Sequence, residues 1–184
     1  IYTDVDTLSL HDALPISRAR NLLKTAKYIT NDLNGNFPNN YNDLLKLPGV
    51  GEYTASAISS ICFNQRIAVV DGNVFRVLSR FYGIDTPINT YSGRKYFMNF
   101  AQNLMPKNFF GDYNQGIMDF GALICKPKSP LCNDCMLATK CFAKKTKSTI
   151  SFPVKIKRNS KKHVHFNYIV YINSYFMTSI KQIQ

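Results

Sequence analysis

Four of the five cysteines of this chain lie in one short segment, and this cluster constrains the fold more than any other feature. Cys125, Cys132, Cys135 and Cys141 follow the spacing C-x6-C-x2-C-x5-C. Four thiolates on so short a loop can converge on one centre, which favours a metal site in a reducing compartment over a disulfide framework. The spacing fits a Zn²⁺ ion and an iron–sulfur cluster equally well. The fifth cysteine, Cys62, is expected to pack in the core.

Basic residues outnumber acidic ones, and this excess indicates a polyanionic partner. The 184 residues include 23 Lys and Arg against 11 Asp and Glu, which gives a formal net charge of +12. Lys126 and Lys128 lie between the first two cysteines, where a metal-bound loop would present them to a phosphate. The hydrophobic fraction of 45% excludes a disordered chain. No apolar run approaches the ~20 residues of a membrane-spanning helix, so we expect a nucleic-acid partner and no membrane.

The first seventeen residues differ from the rest of the chain and are expected to be an artefact. They contain no Lys or Arg, and their apolar residues follow neither a helical nor a strand period. Residues 7–16 resemble the conceptual translation of a common sequencing adapter. Without this segment, which contains three of the eleven acidic residues, the net charge is +15. The natural protein is therefore expected to start upstream of residue 18 with residues that this chain lacks.

Apolar periodicity predicts an all-α chain up to the last cysteine of the cluster. Leu22, Leu23 and Ile29 recur at helical spacings and predict a helix over residues 19–33 with one buried face. Further helices are predicted over residues 40–45, 53–61, 73–81, 92–104 and 113–124. Residues 66–70 are rich in β-branched side chains, but they stand alone among helical patterns and are predicted to be a buried connector.

The composition changes after residue 143. Residues 144–162 are rich in lysine and predict a basic linker. Residues 163–172 are rich in β-branched and aromatic side chains and predict a strand. Because one strand cannot satisfy both of its edges, residues 163–184 are expected to be the start of a truncated second domain.

Two short motifs are candidates for binding and chemistry. In the sequence LPGVG at residues 47–51, Gly49, Val50 and Gly51 would let a phosphodiester approach the backbone, although a tight turn without a ligand also fits. Asp71 and Asn73 belong to the sequence VDGNV. A carboxylate at this position is either an N-cap or the group that stabilises an oxocarbenium-like sugar, and the two roles are compatible.

The hairpin sequence LPGVG, the sequence VDGNV and the cysteine spacing together resemble the helix-hairpin-helix DNA glycosylases that carry a C-terminal 4Fe–4S cluster loop. The resemblance covers residues 17–141. Endonuclease III-type members of this superfamily have a lysine two residues after the last glycine of the hairpin, and this amine forms a Schiff base with the sugar. The corresponding residue here is Tyr53, which resembles the adenine DNA glycosylases of the MutY family.

This resemblance implies base excision repair. A MutY-type enzyme flips adenine out of duplex DNA that contains A:8-oxoguanine or A:G mispairs and cleaves its N-glycosidic bond. The resemblance assigns the catalytic carboxylate to Asp71, supporting roles to Tyr53 and Asn73, and a 4Fe–4S cluster to the four clustered cysteines. It also implies a monomer located in the bacterial cytoplasm at the nucleoid, with a Nudix-like second domain that begins near residue 163.

One departure from the family concerns its second carboxylate. The glutamate that protonates adenine lies upstream of residue 17, where this chain has adapter-like residues. Adenine is a poor leaving group until it is protonated, and loss of a general acid typically costs ~10²–10⁴ in rate. The 184-residue polypeptide is therefore expected to be inactive. The alternatives are an endonuclease III-type glycosylase with lyase activity and a non-catalytic DNA-binding module.

Overall fold

A computed structural model describes residues 10–157, 167–172 and 178–183, with the side chains of residues 16–157. In chain order the elements are α1 (Leu10–Asp32), α2 (Tyr41–Leu44), α3 (Glu52–Ile61), α4 (Gly72–Tyr82), α5 (Tyr91–Leu104), α6 (Phe110–Leu123), α7 (Phe142–Lys145), β1 (Asn167–Ile172) and β2 (Thr178–Ile183). The described chain is helical up to the last clustered cysteine, which confirms the predicted all-α fold. Residues 1–9 and 158–166, which include parts of the adapter-like segment, the linker and the predicted strand, lie outside the described residues.

Helix α1 differs from its prediction in its start and in its buried face. It begins at Leu10, inside the adapter-like segment, and not near residue 19. The side chains of Leu22 and Leu23 are 72% and 58% exposed, so the prediction that they are buried is wrong. Tyr28 and Ile29 instead pack against a small core that contains Leu44, Leu47 and Ala55. The contacts of α1 with α2 and the hairpin decide which face is buried, and helical spacing alone does not specify them.

The larger core lies among α4, α5 and α6. Its buried members include Val74 and Leu78 of α4, Phe97 of α5 and Met118 of α6. Helices α4 and α6 approach closely at Gly121, where a Cβ atom would lie 2.7 Å from the Cβ atom of Asn73. Real Cβ atoms do not pack this tightly, so only glycine fits there.

Helix α3 carries buried serine and alanine residues and packs against α2 and α6. Cys62 follows it as the C-cap and is exposed, so the prediction that this thiol packs in the core is wrong. Residues 64–71 between α3 and α4 form neither helix nor strand. Within them Val69 is almost fully buried, as expected for a connector.

Residues 146–157 lie against the loop between α4 and α5. The N–H of Ile88 donates to the carbonyl of Val154 at 3.0 Å, and the amide side chain of Asn89 forms two hydrogen bonds with the backbone of Ile156. Strand β1 confirms the part of the predicted strand that is described. It pairs antiparallel with β2, with Asn167 opposite Ile183. In the described ranges, no helix combines the length and the apolar character needed to cross a membrane.

Candidate functional site

The glycine hairpin presents open backbone at the start of α3. Gly49 has a φ of 80°, a conformation that side chains disfavour, and the N–H of Val50 donates to the carbonyl of Leu47 at 3.1 Å. Gly51 is the N-cap of α3, and no side chain caps this helix. A Cβ atom at Gly51 would meet nothing within 4 Å. The N-terminus of α3, with its positive dipole end, is therefore accessible to an anion.

Helix α1 supports the hairpin at Gly49. The hydroxyl of Thr25 donates to the carbonyl of Pro48 at 2.8 Å. A Cβ atom at Gly49 would lie 2.7 Å from the Cβ atom of Asn21, so a larger residue would both strain the backbone and displace this side chain. The hairpin conformation is thus fixed by its glycine and by α1 together.

Tyr53 lies in the first turn of α3 and lines an open cleft. Its side chain is 49% exposed, and its hydroxyl lies 3.8 Å from the sulfur of Met118 on α6. The cleft has a volume of about 1070 Å³ and is also lined by Val70 and Gly72, which flank Asp71. Tyr53 and the two neighbours of Asp71 therefore share one space, large enough for an extrahelical nucleoside.

Asp71 is the N-cap of α4, and three hydrogen bonds fix its carboxylate. Oδ1 accepts from the backbone N–H groups of Asn73 and Val74, both at 2.8 Å. Oδ2 accepts from Nδ2 of Asn73 at 2.9 Å. The N-cap interpretation of the sequence is confirmed, and Asn73 lies in direct contact with Asp71. A carboxylate held in this way has one orientation, because both oxygens are engaged.

Arg76 connects this carboxylate to the cysteine loop. It donates to Oδ1 of Asn73 at 2.8 Å and to the carbonyls of Gly121 and Cys125, both at 2.6 Å. Only 8% of its surface is exposed, and this burial lowers the pKa of the guanidinium, although the neighbouring Cys125 opposes the shift. The hydrogen bonds thus run from Asp71 through Asn73 and Arg76 to the backbone of the cysteine loop.

Arg80, one turn later, holds the cysteine loop itself. It donates to the carbonyls of Lys126 at 2.7 Å, Pro127 at 2.8 Å and Thr149 at 2.8 Å. It also lies 3.4 Å from the sulfur of Cys125. Only 2% of the surface of Arg80 is exposed. Its guanidinium donates to loop carbonyls that accept no backbone hydrogen bond in a helix or a sheet.

The four clustered cysteines line one largely apolar cavity of about 430 Å³. All four are free thiols. Desolvation by burial, with a further contribution from the other three thiols, raises the pKa of Cys132. Within the described residues, however, no three Cys, His, Asp or Glu side chains form a group that could hold a metal ion. The structure therefore brings Cys125, Cys132, Cys135 and Cys141 to one cavity but does not by itself establish the predicted metal site.

Lys126 and Lys128 are exposed on the cysteine loop. They do not line the cleft of Tyr53, so they belong to a separate part of the candidate surface. Among the side chains of residues 16–157, an ion pair joins Lys46 to Asp43 at 2.7 Å. Most basic side chains in this range are thus available to an external anion.

The sequence analysis did not identify Arg76 and Arg80. These two residues are four positions apart and lie on the buried side of α4. The signal that could have revealed them is that two charged residues share the helix face that also carries Val77. Lys and Arg are almost never fully buried without partners. The partners here are backbone carbonyls, which no sequence pattern marks.

Three comparisons find a helix-hairpin-helix motif in the chain and similarity to DNA glycosylases. Residues 32–61 match a model of the helix-hairpin-helix motif. An adenine DNA glycosylase from Buchnera aphidicola subsp. Schizaphis graminum is 40% identical over 162 residues, which are 87% of this chain and 47% of that protein. The chain thus spans about half the length of this relative. The relative confirms the resemblance to adenine DNA glycosylases.

Solved structures show the same fold. A thermostable thymine-DNA glycosylase is 34% identical and superposes with a TM-score of 0.65 over 76% of this chain and 62% of that chain. A trapped endonuclease III–DNA covalent intermediate is 28% identical, with a TM-score of 0.63 over 74% of this chain and 62% of that chain. These matches confirm the predicted helix-hairpin-helix glycosylase fold.

Proposed function

We propose that the chain, which has the fold of the helix-hairpin-helix DNA glycosylases, is part of a base excision repair enzyme specific for adenine. The proposed substrate is duplex DNA in which adenine is mispaired with 8-oxoguanine or with guanine. The observation that carries this proposal is the carboxylate of Asp71, which three hydrogen bonds fix. Its two neighbours, Val70 and Gly72, line the same cleft as Tyr53.

Two regions would bind the duplex. The open N-terminus of α3, with Gly49, Val50 and Gly51, would bind a phosphodiester oxygen through backbone N–H groups. Lys126 and Lys128 would contact further phosphates, and Arg80 holds the backbone of their loop in place. These contacts carry no sequence information, as expected for an enzyme that must search the whole duplex. We expect the protein to act as a monomer.

The proposed reaction is hydrolysis of the bond between C1′ of deoxyribose and N9 of adenine. As this bond breaks, its electron pair moves to the base and the sugar becomes cationic. Asp71 would stabilise the cation, because its fixed negative charge needs no reorganisation during the reaction. Adenine is protonated by the general acid of the complete enzyme as it leaves, and water then adds to C1′ and returns one proton to that acid. Asn73 would keep the Asp71 carboxylate in place through its 2.9 Å hydrogen bond.

Tyr53 supports a monofunctional enzyme. A phenol cannot form an imine with the opened sugar, whereas the lysine of endonuclease III-type enzymes can. The alternative is a glycosylase with lyase activity, and one observation favours it: Lys155 also lines the cleft. Treatment of the enzyme and its DNA with borohydride separates the two, because it links only an imine-forming enzyme to DNA. We expect no covalent complex, and an adduct that disappears in Lys155→Ala would support the lyase.

The resemblance to the glycosylases with a cluster loop favours a 4Fe–4S cluster over a single zinc ion in the cysteine cavity. Four thiols line it, and this is the donor set of such clusters. We propose that Cys125, Cys132, Cys135 and Cys141 hold the cluster, which when bound would fix the loop that carries Lys126 and Lys128.

The catalytic assignment is tested by Asp71→Asn. Since the chain covers about half of its relative, the assay uses a chimera in which residues 18–157 replace the matching segment of the Buchnera enzyme. Single-turnover release of adenine from an A:8-oxoguanine duplex should fall ~10²–10³-fold, with unchanged affinity for the duplex. Asp85→Asn, at an exposed aspartate, is the control. Excision that is unaffected by Asp71→Asn would refute the assignment.

The 184-residue chain itself is proposed to bind duplex DNA without excising adenine, because no residue in it corresponds to the acid of the family. Release of adenine by this chain at the rate of the chimera would contradict this expectation. If the chimera also bound DNA but released no adenine, whereas the Buchnera enzyme did, the residues would instead belong to a non-catalytic DNA-binding module.

A further inference from the structure

Residues 66–69, which lead toward Asp71, belong to no helix and no sheet. They contain buried residues, and backbone N–H and carbonyl groups in such a place must find partners. No strand of the described chain pairs with them. The partners on both edges are two side-chain amides, from Gln102 on α5 and Asn114 on α6.

The two amides act on opposite edges of this segment. Gln102 donates to the carbonyl of Arg66 at 2.8 Å and accepts from the N–H of Ala68 at 2.9 Å. Asn114 donates to the carbonyl of Ile67 at 2.8 Å and accepts from the N–H of Val69 at 3.0 Å. Each amide joins one carbonyl to the N–H two residues later, as a peptide group of a neighbouring strand would do. Four successive residues are therefore held in register.

The position of Asn114 is unusual for its chemistry. It lies in the middle of α6 with 1% of its surface exposed, although asparagine is neither a good helix former nor a typical core residue. A buried amide is tolerated when its donor and acceptor are both used. The bonds to Ile67 and Val69 use both. These partners lie three residues and one residue before Val70, which leads directly into Asp71.

We propose that Asn114 and Gln102 are positioning residues, whose amides fix the backbone that delivers the Asp71 carboxylate to the cleft. This inference rests on the proposed function, because it assumes that Asp71 faces the sugar. The N-cap bonds fix Asp71 relative to α4, whereas the two amides fix the preceding chain relative to α5 and α6. A displacement of a reacting group by about 1 Å can cost ~10²-fold in rate, so the register of this segment matters to the reaction.

The test compares Asn114→Leu and Gln102→Leu with Asn103→Leu, an exposed position on α5 next to Gln102, in the chimera. Asn114→Leu keeps the number and the branching of the side-chain heavy atoms and removes both hydrogen bonds. We expect it to lower the single-turnover rate of adenine release ~10–100-fold without changing the affinity for the duplex. Gln102 is less buried, so Gln102→Leu should disturb folding less. It should also lower the rate of adenine release, but by a smaller factor. The control should change neither quantity.

A double-mutant cycle with Asp71→Asn separates positioning from a general structural role. If Asn114 acts through Asp71, its substitution should change the rate less than twofold in the Asp71→Asn background. Equal losses in both backgrounds would overturn the proposal. Asp71→Asn without effect would instead overturn the proposed function. If Asp71→Asn lowers the rate of adenine release while Asn114→Leu and Gln102→Leu do not, the result overturns only the proposed positioning role of Asn114 and Gln102.

Amide hydrogen exchange in the 184-residue chain gives a readout that does not depend on activity. Asn114→Leu should accelerate exchange at Val69, and Gln102→Leu at Ala68, with little change at the amides of α3. Acceleration spread evenly over the whole helical region would show general destabilisation and would overturn the proposed local role.

Discussion

Helices α3 and α4 both begin at the candidate site, but their first turns are satisfied in opposite ways. Gly51 leaves the N-terminus of α3 without a side-chain cap, whereas the Asp71 carboxylate accepts two backbone N–H groups of α4. An uncapped helix start can bind an external anion, while a capped one holds its own. This difference supports the proposed binding of phosphate by α3 and shows that α4 holds an internal carboxylate at its own start.

The buried faces of the two helices differ as well. Helix α3 buries small side chains, among them Ala55, Ser56 and Ser59, and lies close to its neighbours. Helix α4 buries Arg76 and Arg80, whose guanidinium groups bind carbonyls of other segments. Helix α3 is thus positioned by close packing, and α4 by directed hydrogen bonds.

The largest effect is expected from a substitution that removes the hydrogen bonds between α4 and the cysteine loop. Arg80→Met retains most of the buried aliphatic volume but leaves the carbonyls of Lys126, Pro127 and Thr149 without their donor. Unsatisfied buried polar groups cost ~1–3 kcal/mol each, so the free energy of unfolding should fall by about 3 kcal/mol or more in urea denaturation. Arg20→Met, at an exposed position on α1, should change it by less than ~0.5 kcal/mol. Similar effects of both substitutions would show that the loop does not depend on Arg80.

The second prediction gives α3 the cap that α4 already has. Gly51 has φ of −98° and open space around its Cβ position, so Gly51→Asp fits without strain. The new carboxylate should cap α3 and repel the phosphate, weakening duplex binding about tenfold, or ~1.4 kcal/mol, in fluorescence anisotropy. Gly51→Asn caps without a charge and should weaken binding less. If both variants bind as tightly as the parent chain, the N-terminus of α3 does not contact the phosphate.

The third prediction compares two fully buried serines. The hydroxyl of Ser59 on α3 has no hydrogen-bond partner in the described part of the chain, whereas that of Ser79 on α4 donates to the carbonyl of Phe75 at 2.7 Å. Ser59→Ala should therefore stabilise the fold by about 1 kcal/mol, and Ser79→Ala should destabilise it by ~0.5–1.5 kcal/mol. Thermal unfolding measures both, and the same sign for both would contradict the difference between the helices.

The smallest effect concerns the lysines next to the cysteines. If Lys126 contacts a phosphate, Lys126→Ala should reduce the slope of log affinity against log salt concentration by ~0.9. Lys46 is already paired with Asp43, so Lys46→Ala should leave the slope unchanged. Equal slopes for the parent chain and Lys126→Ala would remove Lys126 from the proposed DNA surface.

Local signals predicted much of the fold and part of the site. The helices, the hairpin, the N-cap role of Asp71 and the clustering of the cysteines follow from spacings of a few residues. The exposure of Leu22, Leu23 and Cys62, and the pairing of β1 with β2, did not follow. Burial of a side chain depends on which neighbours cover it, and helical spacing leaves that open.

The sequence by itself determined the residue types that the chemistry needs: a carboxylate at Asp71, a phenol at Tyr53 and four thiols in one loop. Tertiary structure alone decided how they are held, through Arg76, Arg80, Gln102 and Asn114. The partners of these four side chains are largely backbone N–H and carbonyl groups 34 to 69 residues away in the chain. Every residue carries such groups, so no pattern of side chains marks them, and only the folded chain shows which ones meet.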